Sequence, residues 1–164
     1  MRSPTTRLTP RGEAALSWIA VAVGAVIGSA GRYGLDLLLP HGLSDVPWSM
    51  IIANTLGSFL LGVLAAGTWA LVPPWVRAGL GAGVLGSFTT FSSLMIIAVA
   101  TAQGGELAHG PGSLEAGSLG QAVAVVVGSV FAGLLAALIG IAVGRQGIRR
   151  GLRGLRTVDD EEDA

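Results

Sequence analysis

The sequence predicts an all-α membrane protein with four transmembrane helices. Of its 164 residues, 51% are hydrophobic and only 12% are charged, and the mean hydropathy is +0.69. A soluble domain usually carries about 25% charged residues. Four apolar segments also have at least the roughly 20 residues needed to cross a bilayer core. They are residues 17–39, 48–71, 76–103 and 120–144.

The first apolar segment follows three arginines, a pattern that a signal peptide shares. Its length of about 23 residues and its embedded Arg32 favour a retained helix instead. Proline or glycine-rich stretches separate the later segments. We therefore expect a transmembrane domain at 17–144, a disordered cytoplasmic N-terminus at 1–16, and a charged cytoplasmic tail at 145–164 that is disordered or lies at the membrane interface. The acidic run at 159–163 is most simply solvated.

The arginines predict one orientation in the membrane. All ten basic residues are arginines, and nine of them fall in the two terminal segments or near the second connection. These nine are Arg2, Arg7, Arg11, Arg77, Arg145, Arg149, Arg150, Arg153 and Arg156. The connections at 40–47 and 104–119 contain none. The positive-inside rule therefore places both termini in the cytoplasm. Ten acidic residues balance the arginines, so the charge suggests no nucleic-acid partner.

Small residues recur at intervals of four in three of the segments. The sets are Gly24, Gly28 and Arg32, then Asn54, Ser58 and Gly62, and finally Gly128, Ala132, Ala136, Gly140 and Gly144. Small residues at this spacing let helix backbones approach closely within a bilayer. We expect a tight bundle, with the third set serving packing alone. The first two sets each carry a polar side chain as well.

Two of these polar side chains allow alternative interpretations. Arg32 is costly in hydrocarbon, so it faces an aqueous vestibule or snorkels to the membrane surface from near the end of its helix. Asn54 lies about seven residues into the second segment, where its amide either forms an interhelical hydrogen bond or lines a pore.

The third segment contains the most polar stretch, residues 86–93. Five of these eight side chains carry hydroxyls, which lipid cannot hydrogen-bond. The stretch either breaks the helix, freeing carbonyl groups that could bind a cation, or only kinks it. Phe91 and Leu94 are spaced to share a face. The edge of an aromatic ring is electropositive, so Phe91 either stabilises a small anion or packs in the core.

Together these residues resemble the Fluc (CrcB) fluoride channels of bacteria across residues 20–144. The matching positions are Gly24-Ala25-Val26-Ile27-Gly28 with Arg32-Tyr33, Asn54 with Gly57, Phe59 and Gly62, Gly86 with Thr89-Thr90-Phe91-Ser92, and Gly128-Ser129. The resemblance implies a multi-pass protein of the bacterial cell membrane. It also implies an antiparallel dimer in the lipid bilayer, with two pathways that export fluoride passively.

The resemblance also implies roles for particular residues. A structural, non-transported sodium ion would be bound by the backbone carbonyls of Gly86 and Thr89. Phe91 would line the fluoride path, Asn54 and Ser129 would supply donors, and Arg32 would hold a vestibule. Ser92 and Thr90 are candidates for a polar track. Leu94 departs from the family, which has a second pore-facing phenylalanine there, and Ser87 stands where a second glycine is frequent.

The arginine distribution conflicts with a homodimer, because an antiparallel homodimer requires one chain to insert both ways. We hypothesise a heterodimer with an oppositely oriented paralogous subunit, as in family members encoded by paired genes. One alternative is a nonconducting supporting subunit. Another is a small proton-coupled multidrug exporter, for which Asp36 is the only carboxylate within a span. The spans contain no paired carboxylates or activated nucleophile, so we do not expect an enzyme.

Overall fold

The computed structural model describes residues 9–39, 48–69, 71–102 and 119–162. Its α-helices are α1 (Pro10–Leu38), α2 (Trp48–Gly67), α3 (Pro74–Ala78), α4 (Gly86–Phe88), α5 (Ser92–Ala102) and α6 (Leu119–Glu162), and a π-helical segment (Gly79–Leu85) joins α3 to α4. Together α3 to α5 form the third span. Within the described residues, four helical spans are long and apolar enough to cross a membrane, which confirms the predicted all-α membrane fold with four spans. The predicted connections at 40–47 and 104–119 lie outside the described residues, apart from Leu119.

Helix α1 begins seven residues before the predicted bound. The Thr9 hydroxyl accepts a hydrogen bond from the Gly12 N–H at 3.3 Å, Pro10 occupies the first turn, and Glu13 adds negative charge there. Each of these features stabilises a helix N-terminus. Residues 10–16, which we predicted to be disordered, are therefore helical.

Helix α6 is much longer than its membrane span. Its 44 residues extend about 66 Å, roughly twice the thickness of the hydrocarbon core. The helix thus continues through most of the predicted charged tail and ends at Glu162. The cytoplasmic location of this extension stays a prediction.

Glycines bring the helices together in two close pairs. In the first pair, Gly24 and Gly28 of α1 face the backbone of the π-helical segment, where a Cβ would collide with carbonyl oxygens. In the second pair, α2 packs against α6, and a Cβ at Gly140 would collide with the Phe59 carbonyl. Gly128 has open space around it. The predicted packing face of α6 is therefore confined to its later turns.

Large apolar side chains cover the outside of the bundle. Helix α1 exposes Trp18, Val26 and Leu38, and α6 exposes Phe131 and Leu135. Such extensive apolar exposure is unusual for a protein surface in water and suits contact with lipid chains.

Candidate functional site

The third span is broken between α4 and α5, as predicted. Thr89 has an extended backbone, with φ −82° and ψ 152°, and helical structure resumes at Ser92. The π-helical segment Gly79–Leu85, which the sequence did not predict, leads into the break. Short π-helical segments are frequent at functional sites.

The Asn54 side chain on α2 holds the broken backbone at Thr90. Its amide nitrogen Nδ2 donates to the Thr90 carbonyl at 2.8 Å, and its oxygen Oδ1 accepts from the Thr90 N–H, also at 2.8 Å. Both distances are typical of good N–H to oxygen hydrogen bonds. One side chain therefore satisfies both backbone groups of Thr90, which itself is buried.

Hydroxyl groups form further hydrogen bonds at the break. The Thr90 hydroxyl donates to the Ser93 hydroxyl at 3.0 Å, and its oxygen accepts from the Ser93 N–H at a long 3.4 Å. The Thr89 hydroxyl donates to the Leu85 carbonyl at 3.0 Å. These bonds replace some of the backbone hydrogen bonds of a continuous helix, and hydroxyl side chains near helix ends often form such bonds.

Glycine at position 57 allows α2 to approach the break. A Cβ at Gly57 would collide with the Thr89 methyl group and would meet the Phe88 ring at 3.6 Å. The same ring lies 3.5 Å from the place of a Cβ at Gly31 on α1. The Phe88 ring thus packs between two glycines on neighbouring spans, and this packing supports the break from both sides.

An open groove of about 490 Å³ lies beside the break, between the third span and helices α2 and α6. Its lining combines polar and apolar residues. Those that concern the pathway are Asn54, Gly86, Thr89, Thr90, Phe91, Leu94 and Ser129. The sequence prediction therefore named residues that the fold brings together from three different spans.

Phe91 and Leu94 both line the groove but differ sharply in exposure. The Phe91 side chain is 63% exposed, whereas Leu94 is 1% exposed and belongs to the core of the protomer. Phe91 lies in the break and α5 begins only at Ser92, so the two residues do not share a regular helix face, although both border the groove.

Other predicted site residues have different surroundings. The Ser129 side chain is 6% exposed, and its hydroxyl donates to the Val125 carbonyl at 2.7 Å. Ser92 is exposed and Arg32 is half-buried, and neither lines the groove. Arg32 follows Gly28 by one turn on the side of α1 that packs against the third span. This position is compatible with a vestibule beside the break.

Sequence reasoning missed the roles of Ser93 and Phe88. Ser93 looked like one more hydroxyl, but it is the hydrogen-bonding partner of Thr90. Phe88 gave no signal beyond its aromatic character, because its contact with Gly31 and Gly57 depends on how the spans pack.

A groove lined by polar and apolar residues beside a broken helix, in a bundle of four apolar spans, defines a small multi-pass membrane protein with a candidate ion pathway. The sequence profile of the family described as "CrcB-like protein, Camphor Resistance (CrcB)" matches residues 19–141. The chain therefore belongs to the CrcB family.

Curated relatives carry a more specific name. A "Fluoride-specific ion channel FluC" of Thermus thermophilus is 39% identical over 129 residues, which cover 77% of this chain and 94% of the relative. "Fluoride-specific ion channel FluC 2" of Geobacillus kaustophilus is 32% identical over 82% of this chain and 98% of its own length. "Fluoride-specific ion channel FluC 3" of Streptomyces avermitilis is 37% identical over 82% of this chain and 61% of its own length.

Proposed function

We propose that this protein is a fluoride channel of the bacterial cell membrane that exports fluoride passively and so lowers its toxicity. The observation that carries the proposal is the groove in which the exposed Phe91 ring lies beside the broken third span. The names of the relatives support fluoride as the ion. A negative cell interior, together with entry and ionisation of hydrogen fluoride, would drive the anion outward.

Selectivity would come from compact donors that suit a small anion. The edge of the Phe91 ring is electropositive and attracts an anion without a formal charge. One amide hydrogen of Asn54 is donated to the Thr90 carbonyl, and the second would be available to donate to an anion in the groove. The Ser129 hydroxyl donates to Val125, so it would have to rotate away to serve fluoride. Thr90, which lines the groove, is a further candidate for a polar track, and Ser92 stays a candidate although it is exposed outside the groove.

The channel would be an antiparallel dimer. A groove that exposes amide and carbonyl groups to lipid is unfavourable, because hydrocarbon offers no hydrogen-bonding partners. A second protomer placed over the groove would cover these groups and enclose the pathway. Leu94 has no ring edge, so this chain would contribute one aromatic ring, that of Phe91, where family members contribute two.

The break offers a suitable donor set for a structural sodium ion. In a continuous helix the Gly86 carbonyl would accept from the Thr90 N–H, but that N–H donates to Asn54. The Thr89 carbonyl would accept from the Ser93 N–H, which donates to the Thr90 hydroxyl. Both carbonyls are hard oxygen donors, which fit a hard cation such as sodium. The ion would stabilise the dimer and would not be transported.

The partner is expected to be a paralogous subunit of opposite orientation. Nine arginines at the termini and second connection, against none in the other two connections, should force one topology on this chain. We predict that a tag at either terminus is found only on the cytoplasmic side of intact cells, as tested with a membrane-impermeant label. A control tag on a periplasmic protein should be labelled fully. If half of the tagged protein were labelled in intact cells, the chain would insert in both orientations, which would contradict the heterodimer.

Fluoride efflux from liposomes tests the function directly. We expect liposomes that contain this chain with its oppositely oriented partner to release fluoride rapidly and to retain chloride, as read by ion-selective electrodes. The chain alone is expected to release little of either ion. Fast fluoride release by the chain alone would contradict the need for a partner. Failure of both preparations would contradict the channel and favour another function.

Two alternatives predict different outcomes. A nonconducting supporting subunit would leave efflux unchanged when its own Phe91 is altered. A proton-coupled exporter requires an embedded carboxylate in its pathway, yet Asp36 near the end of α1 does not line the groove. The geometry therefore favours the channel over the exporter.

A further inference from the structure

The amide of Asn54 pairs with Thr90 much as a neighbouring β-strand would. It meets the N–H and the carbonyl of the same residue, each at 2.8 Å, from a position 36 residues away in the chain. This pairing removes the Thr90 N–H from the helical pattern. The Gly86 carbonyl consequently loses the donor that a continuous helix would provide four residues later.

The Thr90 side chain likewise withdraws a helical donor, the Ser93 N–H, about one turn further along the chain. Its oxygen accepts from the Ser93 N–H at 3.4 Å, and its proton goes to the Ser93 hydroxyl at 3.0 Å. The Thr89 carbonyl therefore also loses its helical donor. Two side chains, Asn54 and Thr90, together divert the two N–H groups that would otherwise close the helix over the carbonyls of Gly86 and Thr89.

We infer that Asn54 and Thr90 are positioning residues for the cation: they keep the two carbonyls free of donors before any ion arrives. This inference rests on the sodium site of the proposed function. A carbonyl without a partner is costly in the membrane interior, because hydrocarbon offers no donors. Without the hydrogen bonds made by the Asn54 and Thr90 side chains, which we call the clamp, the backbone would relax toward ordinary helical hydrogen bonds. With the clamp, the backbone N–H and carbonyl of Thr90 both have hydrogen-bonding partners, and the carbonyls of Gly86 and Thr89 are available before the cation binds.

Asparagine is well matched to this task. Its amide has a donor and an acceptor on one planar group, which the carbonyl and N–H of Thr90 require. Aspartate at position 54 would lack the donor, and alanine would lack both groups. The close approach of α2 at Gly57, against the Thr89 methyl group, sets the distance between the helix and the break. The clamp therefore depends on α2 and does not arise within the third span alone.

The first test measures how sodium stabilises the dimer. Thermal unfolding of the detergent-solubilised dimer of this chain with its oppositely oriented partner is followed while sodium replaces potassium at constant ionic strength. We expect Asn54→Ala and Thr90→Val to raise the sodium concentration at half-maximal stabilisation by about tenfold or more. Thr90→Ser keeps the hydroxyl and should remain near the unaltered protein. Thr55→Val, the same substitution beside Asn54 but outside the groove, is the matched control.

The second test needs no variant. Hydrogen exchange at the Thr90 and Ser93 amides is measured in the unaltered dimer without sodium. Slow exchange at both amides is expected, because the clamp holds them before the cation binds; helical hydrogen bonds would also slow exchange, so the sodium dependence of Asn54→Ala and Thr90→Val distinguishes the two arrangements. Fast exchange that becomes slow only when sodium is added would overturn it, since the ion would then be shaping the break.

The two proposals fail in different ways. If sodium stabilises the unaltered dimer but Asn54→Ala and Thr90→Val keep its sodium dependence, the positioning role is wrong and the sodium site stands. If sodium and potassium act alike on the unaltered dimer, the sodium site fails and this inference fails with it. Fluoride efflux, measured separately in liposomes, would still decide whether the protein is a channel.

Discussion

Replacing Phe91 by leucine is expected to lower fluoride efflux by about tenfold, in liposomes that contain this chain with its oppositely oriented partner, while leaving the protomer folded. A charged group in the membrane interior costs about 2.5–3.5 kcal/mol on insertion scales, which corresponds to roughly 100-fold. The ring edge offsets part of this cost for fluoride, and an alkyl chain has no electropositive edge. Because the Phe91 side chain is 63% exposed, the substitution removes little packing within the protomer.

Phe131 provides a matched control for this experiment. It lies on α6, is 61% exposed and does not line the groove. Phe131→Leu should therefore conduct fluoride like the unaltered protein in the same liposomes. Unchanged efflux in Phe91→Leu would contradict a fluoride path along this ring and would favour the supporting-subunit alternative. Chromatography of each preparation would establish that the dimer is intact.

The second large effect concerns folding. Gly140→Ala is expected to destabilise the bundle by about 1–3 kcal/mol, because overpacking a close contact forces the surrounding structure to shift. The new Cβ would collide with the Phe59 carbonyl and approach the Val63 nitrogen to 3.0 Å. Both are backbone atoms, so α2 and α6 would have to separate. Thermal unfolding in detergent, with the yield of monodisperse protein, measures the effect.

Gly128 offers the corresponding control on the same helix. Nothing lies within 4 Å of the place where its Cβ would be. Gly128→Ala should therefore keep the thermal stability of the unaltered protomer. Equal loss of stability in both variants would show that glycine at these positions matters for a reason other than the α2–α6 contact.

The spacing of small residues predicted close packing but could not say which members of a set make contact. Gly128, Gly140 and Gly144 belong to one set with intervals of four, yet Gly140 and Gly144 face the α2 backbone whereas Gly128 does not. Spacing along a helix defines a face, whereas contact also depends on where the neighbouring helix runs. The crossing of α2 and α6 therefore decided a question that local sequence left open.

Asn54 illustrates the same limit at the site. The sequence allowed either an interhelical hydrogen bond or a pore-lining role, and the structure shows the amide bonded to Thr90 while also lining the groove. The partner is a backbone group in a different span, which side-chain spacing cannot reveal. The exposure of Phe91 and the burial of Leu94 likewise follow from the extended backbone at Thr89.

By itself, the sequence determined the membrane class and the four spans, and it located the polar stretch at which the third span is interrupted. These properties depend on local composition, because apolar length decides what crosses a bilayer and hydroxyl groups cannot be left in lipid. Only the tertiary structure decided that the N–H groups of Thr90 and Ser93 bond to side chains and not to the carbonyls of Gly86 and Thr89. It also decided that the Phe91 ring faces the groove. Those outcomes depend on hydrogen bonds and contacts between spans, which exist only once the helices have packed.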